Sequence, residues 1–305
     1  MVELSRLTAS LRLSGRLLCK LEYLNPGGSK KDRVARAMIE AARREGMLRD
    51  GQPVVELTGG NTGTGLAIIC GALGHPFIAV MSMGNTMERA RQMRALGAEV
   101  VLVDQATGSP KGTVSGADLA LVEQRAVELA RERGAFRADQ FRMRANVEAH
   151  EQGTGPEMWR QSEQTVDVFV DFAGTGGTFT GVSRYLRRVN ASARCYVVEP
   201  AGAAVLAGEQ STRPSHVIQG GGYSFADLPL LDRSLVTDYL TVTDEQAIDA
   251  ARRVAREHGV FAGFSTGANI AAALDLLRTR ERGATVACLA CDSGLKYMST
   301  DLFGQ

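Results

Sequence analysis

A lysine at the start of a helix has the most chemistry to offer in this chain. The stretch Asn25-Pro26-Gly27-Gly28-Ser29-Lys30-Lys31-Asp32-Arg33 runs from a glycine turn straight into a helical pattern. The first amides of a helix have no partner inside it, and the dipole there is positive, so ammonium groups are disfavoured and anions favoured. A lysine so placed deprotonates more readily, as a nucleophilic or Schiff-base amine must. Two further segments set glycines and hydroxyls where a strand gives way to a helix: Glu56-Leu57-Thr58-Gly59-Gly60-Asn61-Thr62-Gly63 and Ala173-Gly174-Thr175-Gly176-Gly177-Thr178. Backbone N–H groups converge at such turns and make anion sites. The second lacks the full G-x-G-x-x-G spacing and the ribose-binding acid of a dinucleotide site. A third segment, Ala262-Gly263-Phe264-Ser265-Thr266-Gly267-Ala268, is again a loop entering a helix. Taken singly, each has a plainer reading: a glycine turn, a glycine-rich helix start, or a serine N-cap.

The elements that must position these residues alternate along the chain. Apolar strands at 53–57 and 77–81 lead into helices at 61–73 and 87–96, and a strand at 100–103 precedes a helix at 117–133. A strand at 166–172 is followed by a helix at 178–188 and a strand at 195–198. The tail adds helices at 244–258 and 266–278 and a strand at 285–290. Strands this continuous in apolar residues, separated by helices, indicate parallel sheets covered on both faces. Residues 108–116 form a polar, glycine-rich loop. No repeat or low-complexity tract is present. A chain of 305 residues suits two lobes, with the boundary expected near 140–150.

Composition excludes some partners. There are 35 basic and 34 acidic residues for a formal charge of +1, which indicates no nucleic acid and no anionic membrane surface. The five cysteines are odd in number and lie in apolar segments, as buried reduced thiols of a cytoplasmic protein do. Cys288 and Cys291 are three apart in an apolar strand, where side chains point to opposite faces. No charged, apolar leader opens the sequence, and no apolar run approaches the ~18 residues of a membrane span. The histidines (75, 150, 216 and 258) are far apart, with neither metal spacing nor a Ser/His/Asp signature, so no metal is expected. Trp159 reads as a core residue.

The motifs, in this order, resemble those of the cysteine synthase / cystathionine β-synthase family, the fold type II β-substituting enzymes that use pyridoxal phosphate (PLP). The resemblance implies an α/β fold of two lobes, each a largely parallel sheet flanked by helices, with the cofactor in the cleft between them. The lobes would be 24–144, mobile and carboxylate-binding, and 1–23 plus 145–305, phosphate-binding. A first strand near 17–23 would join the second lobe. The family pattern ahead of it opens on a Thr-Pro-Leu-type segment, and this sequence starts at about the residue after it.

By resemblance, Lys31 and not Lys30 holds the cofactor, and Lys30 faces solvent. Gly174, Thr175, Gly176, Gly177 and Thr178 cradle the PLP phosphate. Ser265 meets the pyridine nitrogen, where a neutral hydroxyl leaves the ring largely unprotonated. Thr58, Gly59, Gly60, Asn61 and Thr62 form the loop for the substrate carboxylate, Asn61 also reaching the cofactor's 3′-oxygen. Gln140, of Asp139-Gln140-Phe141, meets the same carboxylate. Gly220-Gly221-Gly222-Tyr223-Ser224-Phe225 lines the site, with Gly221 and Tyr223 on the substrate side. Asp292-Ser293-Gly294-Leu295-Lys296-Tyr297-Met298-Ser299-Thr300 closes the cofactor cleft.

Two places depart from the family pattern. Gly59 stands where the family has serine, losing a hydrogen bond of ~0.5–1.5 kcal/mol and making room at the reacting carbon. Arg142 and Arg144 replace parts of an Asn-Pro-Ala-Asn run; they either bind an anionic substrate group or face solvent or the other lobe.

The expected activity is β-replacement on an O-activated L-serine, O-acetylserine or O-phosphoserine, through an α-aminoacrylate. Lys31 serves as general base, and sulfide or another nucleophile gives cysteine or a related β-substituted alanine. A β-eliminase or dehydratase of serine- or threonine-type substrates is the alternative, and a non-catalytic homologue that binds partners a third reading. The expected partners are an amino-acid substrate and a nucleophile, and the family's habit is a homodimer.

Overall fold

The computed structural model describes residues 1–109, 114–213 and 216–304. Its chain divides into a larger unit, Met1–Lys30 with Val147–Gln305, and a smaller one, Lys31–Asn146. The chain opens with β1 (Val2–Glu3), α1 (Ser5–Ser10) and β2 (Arg16–Leu21) of the larger unit. The smaller unit follows: α2 (Lys31–Arg44), β3 (Val54–Leu57), α3 (Asn61–Leu73), β4 (Phe77–Ser82), α4 (Met87–Ala95), β5 (Glu99–Val103), α5 (Gly116–Glu132) and β6 (Phe136–Arg137). Helix α6 (Ala145–Ala149) passes through a π-helical stretch, His150–Thr154, into α7 (Gly155–Gln161). The rest is β7 (Val168–Phe172), α8 (Gly177–Val189), β8 (Arg194–Pro200), β9 (Asp238–Val242), α9 (Asp244–His258), α10 (Phe264–Arg278) and β10 (Thr285–Ala290).

In the larger unit the sheet order is β1-β2-β10-β7-β8-β9, parallel except for the β1–β2 pair. Strand alternation divides its apolar residues between two cores. Leu17, Cys19, Val168, Val170, Val198 and Cys288 belong to one; Leu18, Phe169, Val197, Leu289 and Cys291 belong to the other. Cys288 and Cys291 therefore face opposite sides, and all five cysteines are buried free thiols. Trp159 packs half-buried on the edge of the second core. The smaller unit's sheet runs β5-β4-β3-β6, parallel throughout, again between two cores.

The long apolar strands and the helices α3 and α9 form over the expected residues. Helix α10 begins at Phe264, two residues before the expected start, because Gly263 serves as its N-cap. The short β1 and β6, and the mixed Asp-Tyr-Leu-Thr-Val of β9, give no apolar run to read. In the expected 108–116 loop, residues 110–113 lie outside the described residues. Ser115 closes that loop by accepting a hydrogen bond from Asp118 N and so caps α5.

Candidate active site

In the smaller unit the chain leaves β3 at Leu57 and turns through Thr58, Gly59 and Gly60 into α3. The Thr58 amide is tied to Val80 O at 2.9 Å, and its hydroxyl accepts from Gly63 N at 2.8 Å. The Thr62 hydroxyl donates to Gln140 Oε1 at 2.6 Å, and both side chains are buried. Gln140 is held in turn by Asn146 Nδ2, which donates to its backbone carbonyl at 2.8 Å. Gly65, one turn beyond Asn61, packs on the first turn of α2: a Cβ there would lie 3.1 Å from Lys31 O. The Lys31 backbone thus lies one helical turn from Asn61 and Thr62, with the Lys31 side chain half-buried at the head of α2.

Gly59 has a steric reason. A Cβ at residue 59 would fall 2.6 Å from three side-chain atoms of Asn85, while Arg89 Nη1 donates to Gly59 O at 3.1 Å. The Asn85 amide occupies the space a residue-59 side chain would need. Behind the loop Glu56 is fully buried against Arg137, which also reaches Glu123 at 2.7 Å. Burial pushes the Glu56 carboxyl up to about 8 despite the opposing pull of Arg137. Arg142 and Arg144 are both exposed, and Arg142 pairs with Asp139 at 2.9 Å.

In the larger unit β7 ends at Phe172 and the chain passes through residues 173–176 into α8. Gly176 is the N-cap at φ +81°, where an L side chain is strained and a Cβ would lie 2.8 Å from Leu231. Phe172 N donates to Asn269 Oδ1 at 2.6 Å, and Asn269 is one turn beyond Ser265 on α10. This bond brings the glycine loop and Ser265 together. Thr178 Oγ1 is 3.2 Å from His150 Nε2, and His150 Nδ1 is 2.9 Å from Thr154 Oγ1. The 220–222 loop joins the same place through Gly222 N, which donates to Ala173 O at 3.0 Å. Tyr223, 40% exposed, lies 6.0 Å from the Phe225 ring. Asp292 receives the Tyr297 hydroxyl at 2.6 Å, and its carbonyl accepts from Gly263 N at 3.1 Å.

One expectation is corrected. Lys30 does not face solvent: it is 9% exposed, and its ammonium lies 2.9 Å from Asp171 on β7. Burying its stem required a buried anion, and Asp171 supplies it. The signal was present in β7, where Asp171 is a charge among apolar residues. His150 was likewise passed over, although Thr154 follows it at helical i,i+4 spacing. Nothing in the sequence marks Asn85.

Helices α3, α8 and α10 start on Gly60, Gly176 and Gly263, N-caps that bring no side chain of their own. Such a terminus suits a phosphate or carboxylate. A neutral hydroxyl at Ser265 suits a pyridine nitrogen, and a lysine opening α2 suits an aldehyde. The residues present fit pyridoxal phosphate.

Two parallel α/β units with glycine-started helices and an amine at a helix head define a cofactor-dependent enzyme of the α/β class. Residues 1–292 match the family model described as pyridoxal-phosphate dependent enzyme, and the chain belongs to that family, with pyridoxal phosphate as its cofactor. It is 39% identical over 286 residues to a cysteine synthase of Staphylococcus aureus (strain Mu50 / ATCC 700699), covering 93% of this chain and 88% of that one. A crystal structure of O-ureido-L-serine synthase is 38% identical with a TM-score of 0.85, over 95% of this chain and 88% of that one. O-acetyl serine sulfhydrylase isoform 3 of Entamoeba histolytica is 32% identical with a TM-score of 0.90, over 100% and 88%. The enzyme is a cysteine-synthase-like transferase. Among the described residues no helix is long and apolar enough to cross a membrane.

Proposed function

We propose that the protein catalyses β-replacement on an O-activated L-serine, with sulfide or another nucleophile giving cysteine or a related β-substituted alanine. The observation that carries this reading is the Thr62–Gln140 hydrogen bond at 2.6 Å, which gathers two carboxylate-binding motifs 78 residues apart. An enzyme that must grip an amino-acid carboxylate needs such a pre-built cluster of amides and hydroxyls. The similarity to a cysteine synthase, an O-acetyl serine sulfhydrylase and an O-ureido-L-serine synthase supports the same class.

Lys31 holds the cofactor, Gly174, Thr175, Gly176, Gly177 and Thr178 its phosphate, Asn61 its 3′-oxygen and Ser265 its ring nitrogen. Bound there, pyridoxal phosphate supplies an electron sink for charge developing at the substrate Cα. Thr58, Asn61, Thr62 and Gln140 orient the substrate carboxylate, with Gly59, Gly60, Gly221 and Tyr223 around the rest of the substrate. Lys31 Nζ takes the α-proton and later returns it. The Asn85 amide beside Gly59 meets the substituent on the β-carbon. The protein works as a cytoplasmic homodimer, a reading that its buried free thiols and the family's habit support.

A donor-by-nucleophile screen tests this. O-acetylserine, O-phosphoserine and serine are each offered with and without sulfide to the yellow holoenzyme. Formation of a β-substituted alanine, lost in Lys31→Ala together with the cofactor's visible band, is the expected result. Pyruvate and ammonia released at a rate indifferent to sulfide would make the enzyme an eliminase instead.

A further inference from the structure

Thr178 has one hydroxyl proton, and two buried side chains behind it bear on where that proton points. On the same helix the Thr180 hydroxyl is already engaged: it donates to Leu230 O at 2.7 Å and accepts from Asp232 N at 2.9 Å. Thr178 Oγ1 instead faces His150 Nε2 at 3.2 Å, while His150 Nδ1 faces Thr154 Oγ1 at 2.9 Å. All three side chains are buried, His150 and Thr154 completely. The π-helical stretch His150–Thr154 and the start of α7 meet α8 through glycine. A Cβ on Gly181 would lie 2.8 Å from both Glu151 N and His150 Cβ, and one on Gly155 2.8 Å from Tyr185 Cβ. The packing therefore fixes the ring, with a hydroxyl at each of its nitrogens.

A neutral imidazole donates from one nitrogen and accepts at the other, so this chain of hydrogen bonds can run in two directions. With the proton on Nδ1, His150 donates to Thr154 and accepts the Thr178 hydroxyl, and Thr178 has nothing left to give. With the proton on Nε2, Thr154 donates to Nδ1, His150 donates to Thr178 Oγ1, and the Thr178 proton stays free for an acceptor. We propose that His150 and Thr154 are positioning residues for the cofactor phosphate, a relay running from Thr154 through His150 that keeps the Thr178 proton for that phosphate. The proposal rests on the assignment of Thr178 to the phosphate. A phosphate dianion only accepts hydrogen bonds, and a hydroxyl donating to an anion makes one of the stronger kinds. Full burial between two uncharged hydroxyls favours the neutral ring. A threonine inside a helix commonly turns its hydroxyl proton to a carbonyl of the preceding turn. Among the described residues Thr154 Oγ1 has no hydrogen-bond partner besides His150, so its proton is available to Nδ1.

The test uses holoenzyme labelled with nitrogen-15 in its histidines, whose ring resonances separate protonated from bare nitrogens. The wild-type spectrum is expected to show His150 neutral, with its proton on Nε2. Thr154→Val keeps the shape and removes the donor. It is expected to mix the two tautomers and to weaken PLP binding about two- to tenfold in equilibrium dialysis. Thr154→Ser returns the hydroxyl and should restore both readouts. Were Thr154 there for packing alone, the isosteric valine would bind PLP as wild type does and the smaller serine would bind it worse, which would overturn the proposal. A His150 proton on Nδ1, or on both nitrogens, in the wild-type holoenzyme would also overturn it. Thr178→Val separates the relay from the assignment beneath it. If that variant binds PLP more weakly while wild-type His150 carries its proton on Nδ1, the phosphate assignment survives and the relay falls. If Thr178→Val binds PLP as tightly as wild type, the assignment itself is wrong.

Discussion

Thr62 donates its hydroxyl to the side-chain carbonyl of Gln140 at 2.6 Å. With its oxygen so engaged, Gln140 has its amide hydrogens left for an acceptor, and a substrate carboxylate is one. Gln140→Glu keeps an oxygen for Thr62 but sets a negative charge toward the carboxylate. Charge-assisted hydrogen bonds are worth about 1.5–3 kcal/mol, so KM for the amino-acid substrate should rise by about ten- to a hundredfold. The change in kcat should be smaller. Steady-state kinetics decide it, and an unchanged KM would remove Gln140 from the site.

Gly59 and Asn85 form a second coupled pair. Gly59→Ser brings a Cβ within 2.6 Å of the Asn85 side chain, whose Nδ2 already donates to Ser82 O at 3.2 Å. Overpacking of this kind costs about 1–3 kcal/mol. The single variant should melt lower than wild type, and adding Asn85→Ala should restore most of the loss. Equal melting temperatures for wild type and Gly59→Ser would show that the amide moves aside freely.

His150 supports Thr178 from beneath, at 3.2 Å. If Thr178 holds the cofactor phosphate, His150→Leu removes the support without touching the ligand. A hydrogen bond of about 0.5–1.5 kcal/mol corresponds to a PLP Kd weakened about two- to tenfold. Equilibrium dialysis measures it, and unaltered retention would confine His150 to packing.

The fourth prediction concerns pH. His258, in the last turn of α9, accepts the Leu7 amide of α1 on Nε2 at 3.2 Å, which requires a neutral ring. A helix C-terminus would favour the cation, and Glu257 pulls the same way. Burial prevails, with Arg6 assisting, and holds the group below its ordinary value of 6.5. The unfolded chain therefore takes up the proton first. The contribution is fully present above about pH 6.5 and is lost as pH falls below it. Melting temperature should decline from pH 6.5 toward 5 more steeply in wild type than in His258→Gln, where an acceptor remains but does not titrate. Parallel profiles would assign the acid loss elsewhere.

Period and composition were enough to read the sheets, because strands such as β10 are apolar on both faces and helices such as α9 carry their caps locally. The motif loops were readable for a similar reason: glycine and hydroxyl spacing is itself the geometry of a helix N-terminus. What local pattern could not supply was pairing at a distance. Lys30 looked like a surface cation until Asp171, 141 residues on, was seen to neutralise it. Asn85 acquires meaning only against Gly59, and His150 only beneath Thr178. Short edge strands such as β1 and β6 exist because a neighbour offers a ladder, not because their own residues demand one.

Helices α5 and α9 close their N-termini with Ser115 and Thr243 capping boxes, whereas α3, α8 and α10 begin on bare glycine. If the cofactor phosphate binds at the head of α8 and the substrate carboxylate at that of α3, each finishes its helix as a serine or aspartate would in another protein. The amides at the heads of α3 and α8 should exchange with solvent deuterium faster in apoenzyme than in holoenzyme with substrate, while those of α5 and α9 keep one rate throughout. On that reading, loading the cofactor is, for α8, the last step of folding.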